Sequence, residues 1–185
     1  MTYFLADPHY SHDREFIWKE RGFNNIEEHD SCLLENCKKL KANDFLYIIG
    51  DVSCGRNSLE NALKFLNQLI CKVFIVKGNH DGSLFKNKDK VNANIKFIDS
   101  VCLDIDIGFQ SITLCHYPMI SWNRSHYNSL NLYGHVHNKK IPIDGKMLDV
   151  CPKKDHMYPY SYDEIIDIME SKPNNWDYIE KMKNI

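Results

Sequence analysis

The chain has 185 residues, 43% hydrophobic and 26% charged, with 23 Lys and Arg against 25 Asp and Glu for a formal net charge of -2. That length suits one domain, residues 1–185, with a sizeable core. The charge balance excludes broad, sequence-independent binding to nucleic acid, which depends on many cations releasing counterions, but leaves room for a local anionic substrate.

Residues 2–6 read as a short buried strand that stops at Asp7-Pro8-His9, because proline cannot donate to a central ladder. These polar residues come too early for a signal peptide, and no apolar run approaches a membrane span, so a cytoplasmic protein is expected. A helix is predicted over 11–20, with Phe16 and Ile17 available to the core. A second is expected over 26–40, where Leu33, Cys37 and Leu40 recur at helical spacing, Lys38, Lys39 and Lys41 suit the last turn, and Asn43-Asp44 marks the stop. His29 falls on its outer face. Residues 45–49 are a continuous apolar strand ending in Gly50-Asp51. The clearest helix covers 58–70, with one apolar stripe and Ser58 as N-cap. Val73, Phe74, Ile75 and Val76 then form a strand ending in Gly78-Asn79-His80-Asp81. Parallel pairing across this strand-helix-strand unit would leave Asp51 and Asn79 on one sheet edge, where open α/β sheets keep their ligands.

Lys86, Lys88 and Lys90 read as a solvated loop. Residues 95–107 and 111–115 alternate apolar and polar side chains around Gly108, which predicts antiparallel strands, the second ending at His116. In the loop over 117–128, Trp122, Arg124, His126 and Tyr127 are candidates to select a substrate. A strand over 131–133 ends in Gly134-His135-Val136-His137, and Asp144-Gly145 predicts a hairpin with 146–151 as its second strand. Ser161 and Glu164 form a capping box opening a helix through Met169, and the tail from Trp176 reads as a short helix. His156 is expected at the surface. Seven cysteines without a C-x-x-C pair suit reduced, mostly buried thiols.

Polar residues thus close five strands: Asp7 and His9, Asp51, Asn79 and His80, His116, then His135 and His137. Oxygen and imidazole ligands without thiolate suit Mn, Fe(II), Zn, Ni or Co better than a structural zinc site. Seven candidate ligands (Asp7, His9, Asp51, Asn79, His116, His135 and His137) are too many for one ion and about right for two, with Asp51 the natural bridge. Two cations sharing a carboxylate form a clamp for displacement at phosphorus.

The motifs Asp7-Pro8-His9, Gly50-Asp51, Gly78-Asn79-His80-Asp81, His116 and Gly134-His135-Val136-His137, in this order, resemble those of the calcineurin-like metallophosphoesterases. The resemblance implies an α/β fold of two facing mixed β-sheets flanked by helices, a four-layer α/β/β/α sandwich. It also implies one divalent metal held by Asp7, His9, Asp51 and His137 and another by Asp51, Asn79, His116 and His135, manganese, iron, zinc or nickel in identity. Small phosphate esters, phosphodiester or phosphomonoester and including nucleotides, would be hydrolysed by a metal-bridging hydroxide, with His80 assisting the leaving group. A nucleic-acid processing esterase and a non-catalytic metal-binding scaffold are the alternatives. Two departures stand out: Ala6 replaces the glycine common before the first aspartate, and Val52 to Asn57 lacks the Asn or Asp-Arg that larger members place after the bridging aspartate. Arg56, His12 and Arg14 are therefore substrate-side candidates by position alone, and Asp81 is open between orienting the His80 ring and capping the next segment.

Overall fold

The structure, a computed structural model, describes residues 1–175; the helix expected from Trp176 lies outside them. Strands β1 (Thr2–Ala6), β2 (Phe45–Ile49), β3 (Lys72–Val76) and β4 (Ile95–Ile98) pair in parallel, and β9 (Tyr160–Ser161) closes the sheet antiparallel to β1. A second sheet runs β5 (Cys102–Ile107), β6 (Gln110–Cys115), β7 (Leu130–Tyr133) and β8 (Met147–Asp149), antiparallel between β5 and β6 and parallel thereafter. Both sheets are mixed, and helices complete an α/β architecture.

The alternation of side chains along β1 and β2 explains the layering, since successive residues of a strand face opposite sides. Leu5, Leu46 and Ile48 pack with Leu33, Cys37 and Leu40 near α2 (Ile26–Lys38) and with Phe65 and Leu66 of α3 (Ser58–Leu66). Phe4, Ala6 and Ile49 instead join Ile112, Leu114, Leu130 and Leu132 of the second sheet, together with Ile165 and Met169 of α5 (Tyr162–Glu170). The first sheet is therefore covered on both faces, which is why its strands read as apolar runs. Ser161 caps α5 by accepting from the Glu164 backbone N–H at 3.2 Å, as the capping box predicts.

Several local expectations are corrected. The helix over 11–20 shrinks to α1 (Glu15–Trp18), because Ser11 is left-handed (φ 58°) and turn hydrogen bonds occupy the preceding loop. Phe16 consequently lies outside the core, 52% exposed, while Ile17 is buried. Helix α3 ends at Leu66 and has Asn57, not Ser58, as its N-cap. The lysine-rich segment contains α4 (Gly82–Lys86) and a 3-10 turn at Lys88–Lys90. Ile95–Ile98 belongs to the first sheet as a parallel edge strand, and β8 runs parallel to β7 instead of returning as a hairpin. Alternation locates a strand but carries no information about the direction of its partner.

Candidate metal centre

Parallel register brings Ala6, Ile49 and Val76 level with one another, so the residues that follow β1, β2 and β3 emerge together. Strands β6 and β7 deliver His116 and the 134–137 turn beside them, and Gly134 N donates to His116 O at 3.2 Å. Ala6 N donates to Val150 O at 3.0 Å and so joins the two sheets at this edge, while Asp7 N donates to Gly50 O at 3.1 Å between the loops of the first sheet.

The backbone is bent hard at the polar residues. Asp7 (φ 47°), His9 (47°), Asp51 (53°), His135 (70°) and His137 (51°) all occupy the left-handed region, which non-glycine residues rarely adopt. Such strain collects where the surroundings over-determine a functional geometry. The neighbouring glycines permit the close approach. A Cβ on Gly134 would run into Asp7 Oδ2 and the Ala6 side chain, and one on Gly78 would run into Asp51 Oδ1 and the Gly50 backbone.

Each buried carboxylate is divided between scaffold and cleft. Asp7 Oδ2 accepts from the His135 backbone N–H at 2.6 Å and the Cys151 thiol at 3.0 Å. Its Oδ1, buried and without a hydrogen-bond partner among the described residues, lies 3.4 Å from His9 Nε2 and 3.8 Å from His137 Nε2. Asp51 Oδ1 accepts from the His80 backbone N–H at 2.8 Å, while Oδ2 faces His116 Nε2 at 3.5 Å and His9 and His80 Nε2 at 3.9 Å. Nδ1 of His116 lies 3.1 Å from the Ile49 carbonyl, positioned to donate to it, which leaves Nε2 to face Asn79 Oδ1 at 2.9 Å and Asp51.

The protein thus places Asp7, His9 and His137 in one potential cation-holding group and Asp7, Asp51 and His116 in another. Asn79 adjoins the second through His116. His135 is exposed, its ring centroid 5.2 Å from that of His116 and 4.7 Å from that of Tyr117. A cluster of buried carboxylate and imidazole atoms, some with no protein partner, is a donor set suited to divalent cations. Electrostatics agree. Burial alone would raise the Asp7 pKa and lower that of His116; the adjacent His9 ring and the surrounding imidazoles hold Asp7 below the carboxylate range, while Asp51 and Asp7 push His116 up to about 9. A cation entering there would displace the His116 proton.

Three substrate-side candidates fall together: His12, Arg14 and Arg56 line one pocket. His12 also backs the centre, its Nδ1 3.3 Å from His9 Nδ1, and burial followed by the charges of His9, His80 and Arg14 pulls its pKa down to about 4. In the 117–128 loop, Trp122 is buried with Nε1 donating to Ser129 O, and Arg124 donates to Ser111 Oγ, so both serve the second sheet. His156 is half-buried and stacked on Tyr160, not at the surface. Asp81 neither orients the His80 ring nor caps α4 through its side chain. Its buried carboxylate accepts from the backbone N–H groups of Asp51 (2.8 Å), Val52 (3.0 Å) and Gly78 (2.9 Å), and so locks the second motif to the third.

His29 is the largest departure from expectation: it is fully buried. Its Nδ1 lies 2.9 Å from Asp30 Oδ1, and Arg21 Nη1 donates to its Nε2 at 2.8 Å. Burial, against the opposing Asp30 hydrogen bond, keeps the His29 pKa below its ordinary value, consistent with a neutral ring accepting from Arg21. Arg21 also donates to Asp7 O at 2.8 Å and Pro8 O at 3.1 Å, and Asp30 accepts from Ser11 N and Oγ. This triad therefore grips the backbone of the strained first loop. Arg21→Met should cost about 3–5 kcal/mol of stability, the range for breaking one partner out of a buried charged network, read by urea unfolding of metal-free protein. A loss under about 1 kcal/mol, the range of an exposed pair, would contradict that role.

The model of a family described as calcineurin-like phosphoesterase matches residues 2–181. An uncharacterized protein of Methanocaldococcus jannaschii is 26% identical over 169 residues, covering 91% of this chain and 90% of that protein. A crystal structure of a protein of unknown function from Aquifex aeolicus shares the fold with a TM-score of 0.68 at 24% identity, over 91% of this chain and 98% of that one. Yfce, a phosphoesterase from E. coli, aligns with a TM-score of 0.48 at 20% identity, over 82% and 78% of the two chains. Among the described residues no helix is long and apolar enough to cross a membrane.

Proposed function

Because this chain belongs to the calcineurin-like phosphoesterase family and so is a metal-dependent phosphoester hydrolase, we propose that it hydrolyses small phosphate esters, nucleotides included, at a centre for two divalent cations. Asp7, His9, Asp51 and His137 would hold one, and Asp51, Asn79, His116 and His135 the other. The observation that carries this reading is the split of the two buried aspartates, each with one oxygen tied to the scaffold and the other turned toward imidazoles. Bound cations would supply Lewis acidity, lowering the pKa of water and offsetting phosphate charge.

The chain's own residues supply position and proton transfer. His80 is 46% exposed at its side chain, while its backbone is anchored to Asp51. A ring held at its root and open to the cleft can hydrogen-bond the ester's leaving oxygen and hand it a proton. Asp81 holds that turn against the Asp51 loop, and the Arg21 triad holds the backbone of Asp7, Pro8 and Ser11, so the reacting groups are preorganised before substrate arrives.

The test is to strip the protein of metal, restore Mn, Fe(II), Zn or Ni singly, and assay aryl phosphate monoesters, diesters and nucleotides. Turnover should return with at least one metal on at least one substrate. No turnover with any combination would overturn the proposal.

A further inference from the structure

Next to the metal centre is a pocket of about 250 Å³ whose wall includes His12, Arg14, Arg56, Asn57 and Asn61. It adjoins the centre through His12, which contacts His9. Arg14 and Arg56 are exposed, and among the described residues neither guanidinium has a carboxylate partner. Asp13, the one carboxylate of the wall, accepts from Trp18 Nε1 at 3.2 Å. The two arginines come from different segments, the loop after the first motif and the loop after Asp51.

Two guanidiniums on one concave wall, with no carboxylate partner among the described residues, offer their free donors to an anion that enters the pocket. Their planar forks match the oxygens of a phosphoryl group in particular. The charge of the scissile phosphate is answered at the metal centre, so these cations are surplus to it. We propose that this pocket is a subsite for a second phosphoryl group. The favoured substrate class is then an ester or anhydride carrying two phosphates, such as a nucleoside diphosphate. On such a substrate water adds to the scissile phosphorus, the P–O bond to the rest of the molecule breaks, and the departing oxygen leaves with a proton and the second phosphate. The substrate assignment rests on the phosphoesterase reading above; the anion site does not.

The experiment compares native protein with Arg14→Gln/Arg56→Gln in two ways. With metal restored, the ratio of kcat/KM on adenosine diphosphate to that on adenosine monophosphate should fall about 10–100-fold in the variant, the scale of one or two charge-assisted hydrogen bonds; an unchanged ratio overturns the subsite. In calorimetry on metal-free protein, inorganic pyrophosphate should bind the native chain and bind the variant at least about tenfold more weakly. Equal binding by both, or no binding by the native chain, overturns the site. Native protein that binds pyrophosphate through the arginines but hydrolyses nothing would instead sink the phosphoesterase reading alone.

Discussion

Asp51→Asn should strip the centre of metal and of turnover together. Asp51 is buried on the loop after a central strand, held in the left-handed region, with Oδ1 fixed by His80 N–H and Oδ2 facing His116, His9 and His80. Asparagine keeps the shape but removes the charge, and its amide nitrogen cannot serve as a cation ligand. Supporting residues around metal sites typically cost about 10–100-fold in affinity or activity, and a direct shared ligand should cost at least the upper end of that range. Turnover at a fixed metal concentration should drop by about three orders of magnitude, as for loss of a principal electrostatic stabiliser. Metal content by elemental analysis separates this outcome from misfolding if unfolding in urea is unchanged. Retention of both ions at native affinity would refute the shared-ligand role.

His80→Ala predicts the opposite pattern: metal retained, rate lost. Its ring projects into the open cleft, whereas the backbone N–H that anchors Asp51 survives the substitution. Turnover should decline by about two to four orders of magnitude, the range for a positioned acid. Esters with very acidic leaving groups, such as nitrophenol, should lose least, because their departing oxygen needs no proton. A variant with full activity on poor leaving groups would remove His80 from the reaction.

The convergence of these polar residues on one sheet edge is legible in the sequence, because they follow apolar strands at turns marked by glycine or proline. Strands β1, β2 and β3 can be read as buried runs, and the parallel pairing of β2 with β3 follows from the helix between them. The direction of β4 and β8 cannot, since side-chain alternation is the same whether the neighbouring strand runs parallel or antiparallel. The role of Asp81 is illegible because two of the three N–H groups that donate to it, those of Asp51 and Val52, lie some thirty residues away in sequence.

The Arg21–His29–Asp30 triad was missed although a signal existed. His29 and Asp30 precede Leu33 by one helical turn, so they share its buried face, as Leu33 and Cys37 do. A histidine and an aspartate on an apolar stripe need buried partners, and Arg21, in the turn that follows α1, provides one.

The central claim, two cations in one cleft, is tested most directly by titrating metal-free protein with Mn(II) and recording its electron paramagnetic resonance. The account predicts uptake of two ions per chain and a spectrum of spin-coupled ions, since paired sites in such clamps lie only about 3.5–4 Å apart. A single equivalent bound, or two ions giving only the six-line signal of isolated Mn(II), would contradict it.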